Sequence, residues 1–302
     1  MTQPPYVVIS PVRDEEKHLG LTVRCMCEQT VRPLKWIVVN DGSSDGTGKI
    51  ADEAAARHDW IQVLHRKNRG FRQAGTGVMD AFYAGFDRIA SGPWRYLSKF
   101  DGDLSFGPDY FQKCLREFEA DEKLGVAGGT CCKDAAGMPT EFPGDPSFHV
   151  RGPTKIYRRE CFEAIGGLIK APGWDTVDEI KANMLGWTSK TFPHIRLVHH
   201  RPTGGAAGCW RDSMKNGLAN YITGYHPLFM AIKCLRRSAR RPYFKEGLGL
   251  WVGFLSGYVK RSPRVGDAAL IRYLRGQQWR ALTLRESLWS QGPVSRAGSP
   301  PG

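Results

Sequence analysis

The sequence lacks the phosphate-binding loops of several common classes of nucleotide-using protein. No Gly-x-Gly-x-x-Gly pattern follows the first apolar run, and residues 11–16 contain no glycine. Dinucleotide-dependent oxidoreductases hold the pyrophosphate on such a loop. Nucleotidyltransferases built on related α/β sheets usually carry a glycine-rich basic loop at the same place. The sequence therefore favours neither a dinucleotide-dependent oxidoreductase nor a nucleotidyltransferase.

Paired cysteines and long apolar segments are also missing. The eight cysteines form no Cys-x-x-Cys pair, which disfavours a zinc site, and no apolar leader precedes the first predicted strand. An uncharged run at residues 247–259 has thirteen residues. A helix of that length reaches about 20 Å, whereas the hydrocarbon layer of a membrane is ~30 Å thick. We therefore expect reduced thiols, a cytoplasmic protein and no membrane-spanning helix.

What the chain does have is an excess of positive charge. The formal charge is +13, and many of the basic residues lie late in the sequence. Such an excess attracts nucleic acid, an anionic membrane or small molecules that carry phosphate. No recognised nucleic-acid-binding module accompanies the charge, so nucleic acid is not expected as a partner.

Apolar β-branched runs alternate with helical patterns in the first third of the chain. Strands are predicted at residues 6–10, 36–39, 61–65 and 94–100, and helical patterns separate them. This alternation predicts an α/β fold with a mostly parallel, Rossmann-like sheet flanked by helices. Such sheets bind ligands beyond the carboxyl ends of their strands. The polar clusters after Ser10, Val39 and Phe100 are therefore expected to meet in one crevice.

Two of these clusters carry carboxylates suited to a nucleotide and a metal ion. Asp101 and Asp103 follow a predicted buried strand and would repel each other without a cation, so Mg²⁺ or Mn²⁺ would relieve the repulsion and bridge to a diphosphate. Asp41 can accept an N–H group of a base such as uracil. The alternatives are a solvated turn at residues 101–103 and a turn that only caps the next helix at residues 40–47.

Three segments taken together resemble a known enzyme family. They are Ile-Ser-Pro-Val-Arg-Asp-Glu-Glu at residues 9–16, Val-Val-Asn-Asp-Gly-Ser-Ser-Asp-Gly-Thr at residues 38–47, and Asp-Gly-Asp at residues 101–103. Their order and spacing resemble a family-2 glycosyltransferase of the GT-A fold, from about residue 6 to residue 200. The chain departs from that pattern at Asp14, where the family more often has Asn, and at Asn40, where it more often has Asp.

The resemblance implies roles for residues in the nucleotide half. Pro11, Arg13 and Glu15 would frame the nucleoside, and Asp41 would read the base. Asp101 would approach the ribose or the metal, and Asp103 would hold the metal against the diphosphate. The basic loop at residues 66–72, which includes Arg72, would meet phosphate, and its alternative is a solvated loop.

The resemblance also implies a general base and a histidine ligand further along the chain. Asp175 falls at the position of the family's base when counted back from Gly186, and Asp178 is the competing candidate. The alternative for both is stabilisation of the helix N-terminus. At the end of a later predicted strand, His199 or His200 would complete the metal coordination or contact phosphate.

The implied activity is inverting transfer of a sugar from a nucleotide-diphosphate sugar to an acceptor hydroxyl. The acceptor would be an unidentified saccharide or lipid-linked saccharide, in cell-surface polysaccharide or glycolipid synthesis, with Mg²⁺ or Mn²⁺ as cofactor. A nucleotide-sugar-binding protein without catalysis is the alternative. The expected catalytic domain is residues 1–205, with a nucleotide-sugar half at 1–105 and an acceptor half at 106–205, followed by a basic helical region at 206–290 and a disordered tail at 291–302.

The uncharged run in the basic helical region has two interpretations. An interfacial helix would place Trp251, Phe254 and Leu255 in the lipid boundary and the neighbouring basic residues on anionic headgroups, at the inner face of the plasma membrane. The other interpretation is a core helix that covers the catalytic domain. Four glycines in the run lower its helix propensity in either case.

Overall fold

The computed structural model describes residues 4–70, 75–134, 145–201, 208–239 and 243–290. Within these ranges the strands are β1 (Tyr6–Val12), β2 (Lys35–Asn40), β3 (Ile61–His65), β4 (Tyr96–Phe100), β5 (Leu104–Phe106), β6 (Leu124–Cys132), β7 (Thr154–Arg158) and β8 (Thr188–His199). The helices are α1 (Leu19–Cys27), α2 (Thr47–Arg57), α3 (Thr76–Phe86), α4 (Tyr110–Ala120), α5 (Arg159–Ala164), α6 (Trp174–Met184), α7 (Cys209–Thr223), α8 (Pro227–Ser238), α9 (Lys245–Val259) and α10 (Ala268–Leu282).

All eight strands form one sheet, in the order β3-β2-β1-β4-β7-β6-β8-β5. The first four of these strands are parallel, and their β-branched residues are buried on both faces because helices cover both sides. The register pairs Ser10 with Val38 and Val12 with Asn40. The polar residues that follow these strands therefore leave the sheet at the same edge.

The other half of the sheet is mixed. Strand β7 runs antiparallel to both β4 and β6, β5 runs antiparallel to β8, and β6 and β8 are parallel. The predicted α/β fold with a mostly parallel sheet is confirmed, with these antiparallel pairings in its second half. The strand predicted at residues 196–199 is part of the longer strand β8.

The elements between Leu104 and Cys132 were absent from the sequence prediction. Strand β6 is buried along its whole length, yet it contains three glycines, which disfavour strands in general. The structure accounts for one of them, because a Cβ atom on Gly128 would lie 2.4 Å from the carbonyl oxygen of Thr154. The glycine permits close approach of the neighbouring backbone.

Helices α7 to α10 follow the sheet and pack on the helix that begins at Trp174. Their apolar cluster includes Val177 and Ile180 of α6, Tyr221 of α7 and Phe254 of α9. The residues share one buried core, so this helical region is attached to the acceptor side of the predicted catalytic domain. None of the helices in the described ranges is long and apolar enough to cross a membrane. The predicted tail at 291–302 lies outside the described residues.

Glycines determine how α9 packs. A Cβ atom on Gly253 would lie 2.0 Å from the carbonyl oxygen of Met214 in α7, and one on Gly217 of α7 would lie 2.1 Å from the carbonyl oxygen of Leu250. Gly249, Gly253 and Gly257 recur every four residues and are all buried. The two helix backbones are therefore in close contact along this glycine face, which offsets the low helix propensity of the segment.

Substitution of Gly253 by alanine is expected to lower the free energy of unfolding by about 1–3 kcal/mol, because a backbone carbonyl blocks the new methyl group. Gly276→Ala in α10 is the matched control, since its Cβ atom would meet no atom within 4 Å. The control is expected to raise the free energy of unfolding by up to ~1 kcal/mol. Urea denaturation of both variants measures the difference, and equal effects would contradict the close contact of α7 and α9.

Candidate active site

The three polar clusters converge on one crevice at the carboxyl ends of β1, β2 and β4. The residues that line it within the described ranges are Pro11, Val12, Arg13, Glu15, Asp41, Arg69, Val78, Lys99, Asp101, Gly102, Asp103, Arg151, Gly152, Pro153, Trp174, Asp175 and Arg201. Asp41, Asp103 and Asp175 thus face the same space although they are far apart in sequence. The predicted site residue Arg72 lies outside the described residues.

Three side chains of types that can bind a metal ion lie together here, and two of them, Asp101 and Asp103, line the crevice. Ligand atoms of Asp101, Asp103 and His199 are all within 4.8 Å of one another. Asp103 is 3% exposed, and its Oδ1 atom has no hydrogen-bond partner among the described residues. A buried carboxylate oxygen without a partner carries a large desolvation cost. Two carboxylates and an imidazole are suitable ligands for a divalent cation, so these residues fit such an ion.

Strand pairing determines which of the two adjacent histidines joins this group. β5 and β8 are antiparallel and pair Leu104 with His199, whose Nε2 atom is 3.4 Å from Oδ2 of Asp103. His200 instead stacks on His18, with ring centroids 5.3 Å apart, and contacts Oγ of Ser105. Burial and the neighbouring His18 lower the pKa of His200.

Two buried or half-buried cations contact these carboxylates, and the sequence analysis had singled out neither. Lys99 of β4 is 3% exposed and contacts Asp101. Arg201 contacts Glu15, and its Nε atom is 3.6 Å from Oδ2 of Asp103. A lysine inside a strand that is buried along its whole length is the sequence signal that could have identified Lys99, since buried lysines require a partner.

The Asp41 carboxylate is held by two arginines from the predicted basic loop. Arg66 donates to Oδ1 at 2.8 Å, and Arg69 donates to both carboxylate oxygens. Arg13 donates to the backbone carbonyl of Asp41 at 3.1 Å. A carboxylate offers about four acceptor positions, and three N–H groups of the described residues use three of them. Among the described residues, one acceptor position of Asp41 is therefore not used by a donor.

The backbone at Asp14 explains the residue type found there. Asp14 has a φ of +52°, in the left-handed region that Asp and Asn tolerate better than most residues. Its Oδ1 atom accepts a hydrogen bond from the backbone N–H of Ser44 at 2.9 Å, and its own N–H donates to Oγ of Ser43 at 3.0 Å. The side chain therefore joins the first polar cluster to the second, and asparagine could make the same contacts.

Asp175 lies in the first turn of α6 and lines the crevice. Gly173, with φ +86°, starts the helix, and a Cβ atom on Gly152 would lie 3.5 Å from Oδ2 of Asp175. The preceding residue, Trp174, is mostly buried, with the Nζ atoms of Lys99 and Lys155 at 5.4 and 5.5 Å from its ring centroid. These contacts hold the first turn of α6 against strands β4 and β7.

Asp178, the other candidate base, lies below this turn and does not line the crevice within the described ranges. It accepts hydrogen bonds from Nζ of Lys155 at 2.7 Å and from the hydroxyl of Tyr157 at 2.5 Å. Burial raises the pKa of Asp178 to about 6, and the Lys155 ammonium opposes that increase. The structure therefore brings Asp175 to the other site residues and keeps Asp178 in the protein interior.

The buried lysine ties α6 to the loop before β7. Lys155 also donates to Oε1 of Glu179 and to the backbone carbonyl of Asp175. Glu179 in turn accepts from the N–H of Val150 at 2.7 Å and contacts Nδ1 of His149 at 2.8 Å. Burial alone would lower the pKa of His149, but the Glu179 carboxylate outweighs it and raises that pKa. This network positions the loop residues that face Asp175.

Comparison with known proteins gives one family and several relatives. The model of the family described as Glycosyl transferase family 2 matches residues 7–167. A polyprenol monophosphomannose synthase of Mycolicibacterium smegmatis is 35% identical over 133 residues, which cover 41% of this chain and 46% of that protein. The match thus spans less than half the length of this curated relative.

Two solved structures share the fold. A mannosyltransferase from Pyrobaculum calidifontis in complex with GDP-Man and Mn²⁺ aligns with a TM-score of 0.56 and 17% identity, over 95% of this chain and 77% of the other. The S. aureus TarS 1–349 structure in complex with UDP-GlcNAc aligns with a TM-score of 0.53 and 15% identity, over 92% of this chain and 81% of the other. At these identities the likeness concerns the fold alone.

Proposed function

This chain belongs to glycosyl transferase family 2, and from that premise we propose that it is a metal-dependent, inverting glycosyltransferase. It would transfer a sugar from a nucleotide-diphosphate sugar to an acceptor hydroxyl, in polysaccharide or glycolipid synthesis. The observation that carries the proposal is the buried Asp103 carboxylate, which lies beside Asp101 and His199 and has an oxygen that no described residue satisfies, in a crevice also lined by Asp41 and Asp175.

The charges of the crevice support a diphosphate and a divalent ion together. Its described lining has five carboxylates (Glu15, Asp41, Asp101, Asp103 and Asp175) and five cations (Arg13, Arg69, Lys99, Arg151 and Arg201). Asp101, Asp103 and His199 would hold Mg²⁺ or Mn²⁺, which when bound would neutralise charge on the departing nucleoside diphosphate. The lining itself is electrically balanced, so the positive charge of the ion would match the negative charge of the donor.

The remaining steps belong to side chains of this chain. The remaining acceptor position of Asp41 would accept an N–H of the base, while Arg66 and Arg69 hold the carboxylate in its orientation. Lys99 and Arg201 lie beside the metal-ligating carboxylates and would contact phosphate oxygens. Asp175 would take the proton of the acceptor hydroxyl as that oxygen attacks the anomeric carbon from the face opposite the leaving group, which inverts the configuration.

The relatives suggest what the donor is. One solved neighbour holds GDP-Man and another holds UDP-GlcNAc, and the curated relative is a polyprenol monophosphomannose synthase. The first donors to test are therefore nucleotide-linked mannose and N-acetylglucosamine. The first acceptors to test are lipid-linked compounds and saccharides. A protein that binds a nucleotide sugar without catalysis is the alternative, and formation of a glycosylated product by the purified protein distinguishes the two.

A panel of nucleotide sugars, screened with and without Mn²⁺, tests the proposal by thermal unfolding. The correct donor, at about 100 times its Kd, is expected to stabilise the protein by about 2.7 kcal/mol, which raises the Tm by several degrees. The increase is expected to need Mn²⁺ and to be lost in Asp41→Ala. If no nucleotide sugar raises the Tm in the presence of Mn²⁺ or Mg²⁺, the proposal is wrong.

A further inference from the structure

Helices α8 and α9 expose a continuous apolar surface that the crevice does not include. On α9, Leu248, Val252, Leu255 and Val259 recur at helical spacing along one face, and Phe244 lies one turn earlier. Four of these five residues are exposed: Phe244, Leu248, Leu255 and Val259. Leu228 and Leu235 of α8 are exposed as well, and an apolar groove between the two helices joins the two rows. We call this set the α8/α9 surface.

The packing of α9 explains why its larger apolar side chains face outward. Its glycine face is used for close contact with α7, where Gly253 meets the backbone at Met214. The opposite face consequently carries leucine and valine. Val259 is 83% exposed and Phe244 is 72% exposed. Contiguous apolar surface of this kind is characteristic of an interaction site rather than of scattered surface residues.

Charge around the surface favours an anionic occupant. Residues 208–290 contain 15 Lys and Arg residues against four Asp and Glu residues, so +11 of the formal +13 lies in this region. Arg236, Lys245, Lys260 and Arg261 are exposed near the ends of α8 and α9. Tyr243 and Tyr258 are exposed beside them, and aromatic side chains of this type are enriched where water meets lipid.

We propose that the α8/α9 surface docks on an anionic lipid bilayer. Helix α9 has 15 residues and is therefore about 22 Å long, which suits a helix lying in the plane of the headgroups with its apolar face inserted. The basic residues at its ends would contact the headgroups. A second copy of this chain is a poorer occupant, because two regions of the same strong positive charge would repel each other.

The docking surface is separate from the catalytic crevice. Within the described ranges, no residue that lines the crevice belongs to α8 or α9. Lipid binding is therefore measurable without any assay of sugar transfer. A failure of the proposed docking leaves the proposed activity intact, and a failure of the activity leaves the docking intact.

Flotation of the full chain with vesicles tests the docking. The protein is expected to float with vesicles that contain phosphatidylglycerol, to bind pure phosphatidylcholine vesicles at least about 10-fold more weakly, and to lose affinity at high salt through screening. The variant Leu248→Gln/Leu255→Gln/Val259→Gln is expected to bind about 100-fold more weakly, because it removes apolar area at exposed positions. Leu34→Gln, at an exposed leucine far from α9 in sequence, is the matched control.

A charge variant separates the electrostatic contribution. Each basic residue near an anionic surface is expected to contribute about 5-fold to binding, so Lys260→Glu/Arg261→Glu is expected to weaken binding by about 25-fold or more. Lys35→Glu is the matched control, since it changes an exposed lysine at the start of β2. Circular dichroism and Tm show whether each variant is folded.

Three results would overturn the proposal. The first is a folded wild-type chain that does not bind phosphatidylglycerol vesicles at low salt. The second is a triple variant that binds them as well as the wild-type chain does. The third is a wild-type chain that does not bind vesicles but forms a dimer without lipid, as seen by light scattering, while the triple variant is monomeric. That result would make the α8/α9 surface an interface between copies.

Discussion

Asp103→Ala is expected to lower kcat for sugar transfer by at least about 10³-fold while the protein stays folded. The reason is that Asp103 lies between Asp101 and His199 and has an oxygen that no described residue satisfies. Removal of the carboxylate takes away one of the three proposed metal ligands. It also removes a buried charge that the fold does not fully pair, so the free energy of unfolding is expected to change by no more than about 1 kcal/mol.

The measurement is single-turnover transfer at saturating donor and Mn²⁺, together with urea denaturation. Asp109→Ala is the matched control, because Asp109 lies six residues later in the sequence, and its half-exposed carboxylate forms an ion pair with the exposed Lys113. Its activity is expected to equal that of the wild-type chain. Full activity of Asp103→Ala, or of the wild-type chain after complete removal of divalent cations, would remove the metal from the mechanism.

Asp175→Asn and Asp178→Asn are expected to fail in different ways, although the two residues are only three positions apart. Asp175 lines the crevice, and its replacement is expected to lower kcat by about 10²–10⁴-fold with little change in the Tm, because asparagine cannot accept the acceptor proton. The Kd of the donor is expected to stay within a few-fold of the wild-type value, since the proposed role of Asp175 concerns the acceptor.

Asp178→Asn is expected to lower the free energy of unfolding by about 3 kcal/mol, because it leaves the Lys155 ammonium with one buried carboxylate fewer. This decrease in the free energy of unfolding is at the low end of the range for a broken buried ion pair, since Glu179 still contacts Lys155. Folded Asp178→Asn protein is expected to retain turnover at low temperature. The assignment of the base to Asp175 is wrong if Asp175→Asn keeps full kcat, or if Asp178→Asn loses kcat without any loss of stability.

Much of the first hundred residues could be predicted from local sequence. The buried runs that form β1, β2 and β4 and the helical pattern of α2 all favour the elements observed. The secondary structure of residues 104–132 was harder to predict. The glycines of β6 are typical of a loop as long as the residues that pack against them are unknown. The antiparallel direction of β7 could not be predicted either, since strand direction depends on pairing with residues distant in sequence.

The candidate site likewise contains residues that the sequence could identify and residues that it could not. Asp41, Asp101, Asp103 and Asp175 could be identified because each follows or begins an element recognisable from sequence, and the structure places all four in one crevice. The cations Lys99 and Arg201 were missed, because nothing local indicates that Lys99 reaches Asp101 or that Arg201 reaches Glu15. The C-terminal segment was readable as uncharged, but the face of α9 that packs on α7 was not. The expectation that Phe254 enters a lipid boundary is wrong, because Phe254 is 1% exposed and packs in the core, whereas Leu255 is exposed.

The sequence by itself determined the family, the α/β architecture and the acidic motifs, because motif order and hydrophobic spacing are properties of neighbouring residues. Only the tertiary structure decided between alternatives a few residues apart: His199 rather than His200 beside Asp103, and Asp175 rather than Asp178 in the crevice. His199 ends β8 and His200 follows it, and residues three apart on a helix lie on the same side but in successive turns, so one can reach the open end of the helix and the other the interior. Which face is open and which is buried depends on contacts between segments distant in the chain.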